Sequence, residues 1–340
     1  MSEERTSVGR AEACANIALA KYWGKSARGN NLTAVPSLSL TLDALRTRTE
    51  VAFDTAWTAD RVELNGEDIY GPGLDRVTAM LERFRALRGE ARHARVVSVN
   101  NFPTAAGLAS SASGFAALAV AIQSALGLSF TRGALSSQAR QGSASAGRSL
   151  FGGFAELLAH TDEASPVAPV HHWDVAMVVA VIEAGKKAVA STGGMIHTAA
   201  TSSYYPAWLE TAPPLFEDVK QGVLNRDFER VARGMEHSTR LMHATMLTSV
   251  PPVLYLRGPT VELMHAIAAR RAAGHAEAYT MDAGPNVKVL TLTEHLEQTV
   301  EFLGRFGGVT RLVICRPGPG ARRLGIEGSL ADARPLGEEA

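Results

Sequence analysis

From Thr104 to Thr131 the chain carries no charged residue. An uncharged run of that length is either a bilayer span or an element buried inside a protein. Its composition decides between them. Ala, Ser and Gly dominate, Gln123 lies inside, and the density of Leu, Ile, Val and Phe that drives insertion is missing. Phe115, Leu118, Ala119 and Ile122 keep helical spacing, and Ala94–Val99 ahead of them reads as a strand. The order is therefore strand, glycine-containing loop from Asn100 to Ser111, helix.

The rest of the composition is that of an ordinary globular protein: 46% hydrophobic and 20% charged in 340 residues, a length that fits two domains or one large one. Lys+Arg 34 balance Asp+Glu 34, so no overall basic field exists to hold nucleic acid or an anionic membrane. Any anion site must be local. Cys14 and Cys315 are the two cysteines, and the opening MSEERTSVGR puts acidic residues where a secretory signal needs a basic and then an apolar region. The expectation is a cytoplasmic protein with reduced thiols.

Coarse periodicity gives mixed α and β in two lobes. Leu38–Leu42 and Thr47–Phe53 read as two paired strands, Leu74–Leu87 as a helix, and Val175–Ile182 as a buried strand. The segments around Pro214–Arg233 and Thr260–Ala273 look helical. After Leu312–Cys315, a last strand, the sequence turns rich in Pro, Gly and charge and reads as a loosely held tail.

Four constellations carry chemistry. NIALAKYWGK, from Asn16 to Lys25, sets two lysines near a turn that ends an extended segment; they are either a cationic pair for an anion or two solvated surface lysines. NNFPTAAGLASSAS, from Asn100 to Ser113, sets small residues before a helix whose first N–H groups and positive dipole end suit phosphates, although a simply capped helix has the same look. It is not the GxxxxGK[ST] loop. In GSASAGRSLFGG, from Gly142, Arg148 stands among serines and glycines, where its planar fork suits a carboxylate or phosphate, or else it is a surface residue of a loop. In MDAGPN, Asp282 precedes a glycine turn as either an Asx-turn residue or a base for a hydroxyl. KKAVASTGGM, from Lys186, is a connecting loop or presents hydroxyls to a ligand, and His243 in MHAT is read as a packing histidine. No zinc spacing, G-x-S-x-G elbow or dinucleotide fingerprint is present.

Six motifs in order, NIALAKYWGK, NNFPTAAGLASSASGFAAL, GSASAGRSLFGG, KKAVASTGGM, MHATMLTSVPPVLYL and MDAGPNVKVL, run from Asn16 to about Leu290. Together they resemble the diphosphomevalonate decarboxylases of the GHMP kinase superfamily. The resemblance implies an α+β, two-lobed GHMP kinase fold with a ribosomal protein S5 domain 2-like N-terminal lobe over residues 1–183. It implies a ferredoxin-like C-terminal lobe over 184–325, an active site in the cleft and a tail over 326–340. It implies ATP and magnesium as cofactors, with Pro103, Ala106, Gly107, Leu108, Ala109 and Ser110 cradling phosphates and Ser111 near magnesium and the γ-phosphate. Asp282, Arg148 and Lys21 become catalytic residues: the acid at the 3-hydroxyl, the arginine at the substrate carboxylate, the lysine at the substrate phosphates. Asn16, Tyr22, Ser143, Ser145 and Ser191 line the substrate and Lys25 adds positive charge. The implied reaction converts 5-diphosphomevalonate to isopentenyl diphosphate, with a homodimer as the implied assembly.

Two departures from the family pattern stand out: Val35-Pro36-Ser37 where many relatives have Asn-Ser-Ser, and Ala190 where Ser is usual. Both bear on substrate preference. Two further readings therefore stand beside the first, a decarboxylase of the 5-monophosphate and a catalytically silent sensor of a nucleotide or metabolite.

Overall fold

The computed structural model describes residues 6–102, 109–183, 189–326 and 330. The first lobe opens with two long strands, β1 (Thr6–Ala20) and β2 (Ser37–Asp54). Then come β3 (Arg61–Leu64), β4 (Glu67–Asp68), α1 (Pro72–Arg88), β5 (His93–Asn100), α2 (Ser110–Ala125), α3 (Arg132–Gly142), α4 (Ala146–Ser149), β6 (Phe154–Leu157) and β7 (Ala164–Ala168). The second lobe holds β8 (Val175–Val181), α5 (Ser191–Thr201), α6 (Tyr205–Asn225), α7 (Phe228–Leu247), α8 (Gly258–Ala272), β9 (Glu277–Thr280), β10 (Val287–Leu292), α9 (Leu296–Gly304) and β11 (Arg311–Cys315). The last strand is β12 (Arg322–Leu324).

One sheet runs β12-β1-β2-β5-β3-β4, with β6 and β7 continuing from β2, and the other runs β11-β8-β10-β9. Residues 37–42 of β2 are buried on both faces, whereas the rest of the strand largely alternates. The reason is the second lobe: Leu38, Leu40 and Leu42 share a core with Met177, Val179, Leu290, Phe216 and Met235. The two sheets are thus joined by common apolar burial, the main stabilising term available to them.

The uncharged segment folds as α2, with eleven of its sixteen residues buried, as a helix apolar all round must be. Small side chains let it approach β1 backbone to backbone. At Gly9 a Cβ would sit 2.2 Å from the Ala121 carbonyl oxygen. Among the described residues no helix is long and apolar enough to cross a membrane.

Several expectations need correction. Leu38–Leu42 and Thr47–Phe53 belong to the single strand β2, whose pairing with β1 shifts register between Cys14, facing Arg46, and Asn16, facing Thr41, and again between Ala18 and Ala20. Between Thr41 and Arg46 the Asp43 N–H donates to Arg316 O, so the chain bulges without ending the strand. The segment around 214–233 is helical as expected and spans two helices, which meet at Arg226 (φ 57°) and Asp227, whose carboxylate accepts from the Arg230 N–H at 3.0 Å. Residues after Cys315 are not all tail, because β12 returns to pair with β1 in the first sheet. β8 pairs with β10 and β11 in the second sheet. Both cysteines are free and buried, and burial pushes their thiols up to about 11 at Cys14 and about 12 at Cys315.

Candidate active site

A cavity of about 530 Å³ lies between the lobes. The first lobe contributes the end of β1 with Asn16, Lys21, Tyr22 and Lys25, the start of α2 with Ala109, Ser110 and Ser111, and the α3–α4 junction with Ser143, Ser145 and Arg148. From the second lobe come Ser191 at the start of α5 and Asp282 after β9. Every candidate residue within the described chain therefore lines one cavity. Pro103, Ala106, Gly107 and Leu108 lie outside the described residues.

Asp282 is the only carboxylate among the described lining residues, against Lys21, Lys25, Arg76 and Arg148. Its Oδ1 accepts from Lys21 Nζ at 2.6 Å, and Lys288 Nζ stands 3.6 Å from Oδ2. Burial acts to raise its carboxyl, but Lys21, Lys288 and Arg148 together outweigh it and hold the group down at about 2. Asp282 is ionised at neutral pH. Burial lowers Lys21 to about 8, with Asp282 opposing and Lys288 and Arg148 assisting. The backbone makes the tight turn read from the sequence, Gly284 N–H to Asp282 O at 2.8 Å, while the side chain serves the cation pair.

Arg148 is a buried cation held by neutral groups. Nε donates to Ser39 Oγ at 2.8 Å, Nη1 to Ser37 Oγ, and Nη2 to Asn16 Oδ1 at 3.1 Å. Among the described residues no carboxylate lies within ion-pair distance of it, so its charge stays available to an incoming anion. Burial brings it down to about 10, still protonated at neutral pH. Arg148 and Lys25 both stand over the Tyr22 ring, at 5.8 and 5.6 Å from its centre. Lys25, half-buried, is lowered to about 8 by desolvation first and by the nearby Arg140 and Arg76.

At the other end, α2 begins without a side-chain cap, behind Ala109 in the left-handed region (φ 58°). An uncapped N-terminus facing a cavity leaves N–H groups for phosphate oxygens. Ser111 Oγ lies 3.2 Å from Ser143 Oγ, which lies 3.3 Å from Ser145 Oγ, a hydroxyl chain leading from the helix start toward Arg148. Among the described residues no three of His, Cys, Asp and Glu gather to hold a metal. The donors here are hydroxyl oxygens, which suit a magnesium ion carried in by nucleotide phosphates.

Residues 13–168 match the family model described as the diphosphomevalonate decarboxylase-like N-terminal domain, and residues 177–313 that of the mevalonate 5-diphosphate decarboxylase C-terminal domain. The diphosphomevalonate decarboxylase of Candida albicans is 35% identical, over 90% of this chain and 94% of that one. This chain belongs to the diphosphomevalonate decarboxylase family. Solved structures agree. Mevalonate diphosphate decarboxylase from Staphylococcus aureus superimposes with a TM-score of 0.88 at 36% identity, covering 94% of this chain and 98% of that one. A structure in complex with MVAPP, AMPPCP and magnesium gives 0.87 at 40% identity, covering 94% and 99%. The α+β two-lobed GHMP architecture stands with them.

Family motifs did not reveal every residue of the site. Lys288 enters the sequence reading only as a letter of MDAGPNVKVL, although a lone lysine in the apolar run Val287–Leu292 is a signal of its own. Arg76 reaches the cavity from α1, over the Phe115 ring at 4.7 Å and donating to Gly142 O, and nothing in its helical surroundings marks it. Ser37 stands in the segment that departs from the family pattern, yet its hydroxyl supports Arg148. Val35 beside it is core, packed with Trp23 and Met195. Ala190 lines the cavity just ahead of α5. His243 is buried, burial with Lys21 close by brings it down to about 4, and its Nε2 finds no hydrogen-bond partner among the described residues, so it is neutral but not the fully satisfied packing residue its helical surroundings suggest.

Proposed function

We propose that this chain catalyses the ATP-dependent decarboxylation of mevalonate 5-diphosphate to isopentenyl diphosphate, releasing carbon dioxide, ADP and phosphate. One observation carries the reading: a lone ionised carboxylate, Asp282, faces a cavity whose other charged lining groups are all cations, one of them Arg148, held ready by neutral partners. That arrangement suits a substrate anionic at both ends with a hydroxyl between them. The structure in complex with MVAPP, AMPPCP and magnesium supports the same ligands here.

In this reading Asp282 orients the tertiary 3-hydroxyl and accepts its proton as phosphorylation proceeds. Arg148 holds the carboxylate and Lys21, with Lys25, the diphosphate, so both ends of the substrate are fixed around the reacting carbon. Asn16, Tyr22, Ser143, Ser145 and Ser191 complete the substrate wall. The α2 start with Ala109, Ser110 and Ser111, and the preceding Pro103, Ala106, Gly107 and Leu108, take the nucleotide phosphates. Magnesium, when bound with the nucleotide, neutralises phosphate charge. The 3-phosphate then departs with its C–O electron pair. The C1–C2 electrons form the new double bond and carbon dioxide leaves, while the surrounding cations oppose charge build-up on the leaving group. A cytoplasmic location and a homodimer belong to the same proposal; the first agrees with two buried, protonated thiols, and sedimentation reads the second.

The test measures ADP and carbon dioxide release together, with magnesium-ATP and mevalonate, its 5-phosphate or its 5-diphosphate. Both products from the diphosphate alone are expected. A preference for the monophosphate moves the substrate by one phosphate, ADP without carbon dioxide makes the chain a kinase, and tight ATP binding without turnover makes it a sensor.

A further inference from the structure

Asp282 has a second lysine behind it. Lys288 stands in β10, its Cα opposite Val179 of β8 and Thr280 of β9, and it is fully buried. Burying an ammonium costs several kcal/mol unless charge and hydrogen bonds compensate it. The compensation here includes the Asn286 carbonyl, which accepts from Nζ at 3.2 Å, and Oδ2 of Asp282 at 3.6 Å. Lys21 meanwhile donates to Oδ1 at 2.6 Å, so each carboxylate oxygen has its own cation, one by hydrogen bond and one by ion pair, and a turn of the carboxylate disturbs both contacts.

We infer that Lys288 is a positioning residue, fixing the rotation and ionisation of the Asp282 carboxylate toward the substrate hydroxyl without touching substrate itself. Lys288 is absent from the residues that line the cavity, whereas Asp282 and Lys21 are among them. The groups acting on Asp282 are Lys21 at the end of β1, Lys288 on β10, Arg148 on α4 and the neutral His243 on α7. Removing Lys288 takes a like charge away from Lys21 and a counter-charge away from Asp282. Both then titrate at higher pH.

The inference rests on the activity proposed above, and its tests separate the two. In Lys288→Met, kcat for the family reaction is expected to fall about 10-fold or more with KM within about 3-fold, the split of a group that shapes the reacting state rather than binding. Both limbs of the pH profile move upward, and Lys288→Arg recovers most of the rate. A profile superimposable on wild type, or a loss confined to KM, overturns the inference. Should Lys288→Met fail to fold, Lys288→Gln carries the same readouts.

A second measurement needs no turnover. Thermal midpoints are compared for wild type, Lys288→Met, Asp282→Asn and the double variant. Coupled residues give a Lys288→Met loss that shrinks or reverses in the Asp282→Asn background, because the uncompensated ammonium is removed. Equal losses in both backgrounds overturn the inference. A wild type without decarboxylation sinks the proposed activity and leaves this second test to judge Lys288 alone.

Discussion

Asn16 and Arg148 share a hydrogen bond in which neither residue has freedom to spare. Arg148 Nη2 donates to Asn16 Oδ1 at 3.1 Å, while Asn16 Nδ2 donates to Ser149 Oγ at 2.7 Å and Ser145 O at 3.0 Å. The amide oxygen is thereby locked toward the guanidinium. Asn16→Ala removes this support and leaves buried donors and acceptors unpaired, a loss of about 1–3 kcal/mol in stability. We expect kcat/KM to fall at least 10-fold, and Arg148→Ala to lose more, in both substrate binding and turnover. Steady-state kinetics beside urea unfolding separates the two effects; unchanged kinetics in Arg148→Ala removes that residue from the site.

Asp282→Asn keeps the shape of the side chain and discards its charge. Turnover is expected to drop by about 10²–10⁴, the range of a general base, while ATP affinity, measured by equilibrium titration, changes little. A variant with wild-type rates refutes the role given to this carboxylate.

Lys21 and Lys25 are both brought down to about 8, chiefly by burial. A lowered lysine in the unliganded protein loses its proton as the pH rises through that value, so two cations leave the anion site together. We expect kcat/KM for the diphosphate substrate to decline above pH 8 with a slope steeper than one proton. Lys21→Arg, whose charge does not titrate in this range, shows a shallower limb. An alkaline limb of the same position and slope in both proteins contradicts this assignment.

Gly9→Ala tests the packing behind the site. The new methyl meets the Ala121 carbonyl at 2.2 Å and the Ala125 amide at 2.5 Å, both backbone atoms of α2, so either β1 or the helix must shift. Overpacking of this kind costs about 1–3 kcal/mol, read as a lower urea midpoint. Since α2 also carries Ser110 and Ser111, ATP affinity is expected to weaken with it.

Much of this site was legible because its chemistry is carried by residue types in unbroken motifs: the ends of β1 and β9, the start of α2 and the α3–α4 junction each appear as a short string of sequence. What was illegible depends on partners far apart in the chain. The single strand β2 looked like two because its middle residues leave β1 and meet the segment near Arg316 and Pro317. Ser39 and Lys288 sit at ordinary strand positions, and only the meeting of β2 with α4, and of β10 with Asp282, gives them work. Arg76 is one arginine among several on α1, and its role follows from where that helix lies. Local patterns name the groups that react; tertiary contacts name the groups that hold them.

The pairing of β12 with β1, Arg322 opposite Glu12 and Leu324 opposite Arg10, has a consequence for synthesis. A ribosome making this chain delivers β1 first and its outer neighbour some three hundred residues later, so the first sheet keeps an open edge throughout translation. The first sheet therefore gains its outer strand only after the second lobe has been synthesised. A fragment ending at residue 183 exposes the backbone of β1 along that edge, ready to join another copy of itself.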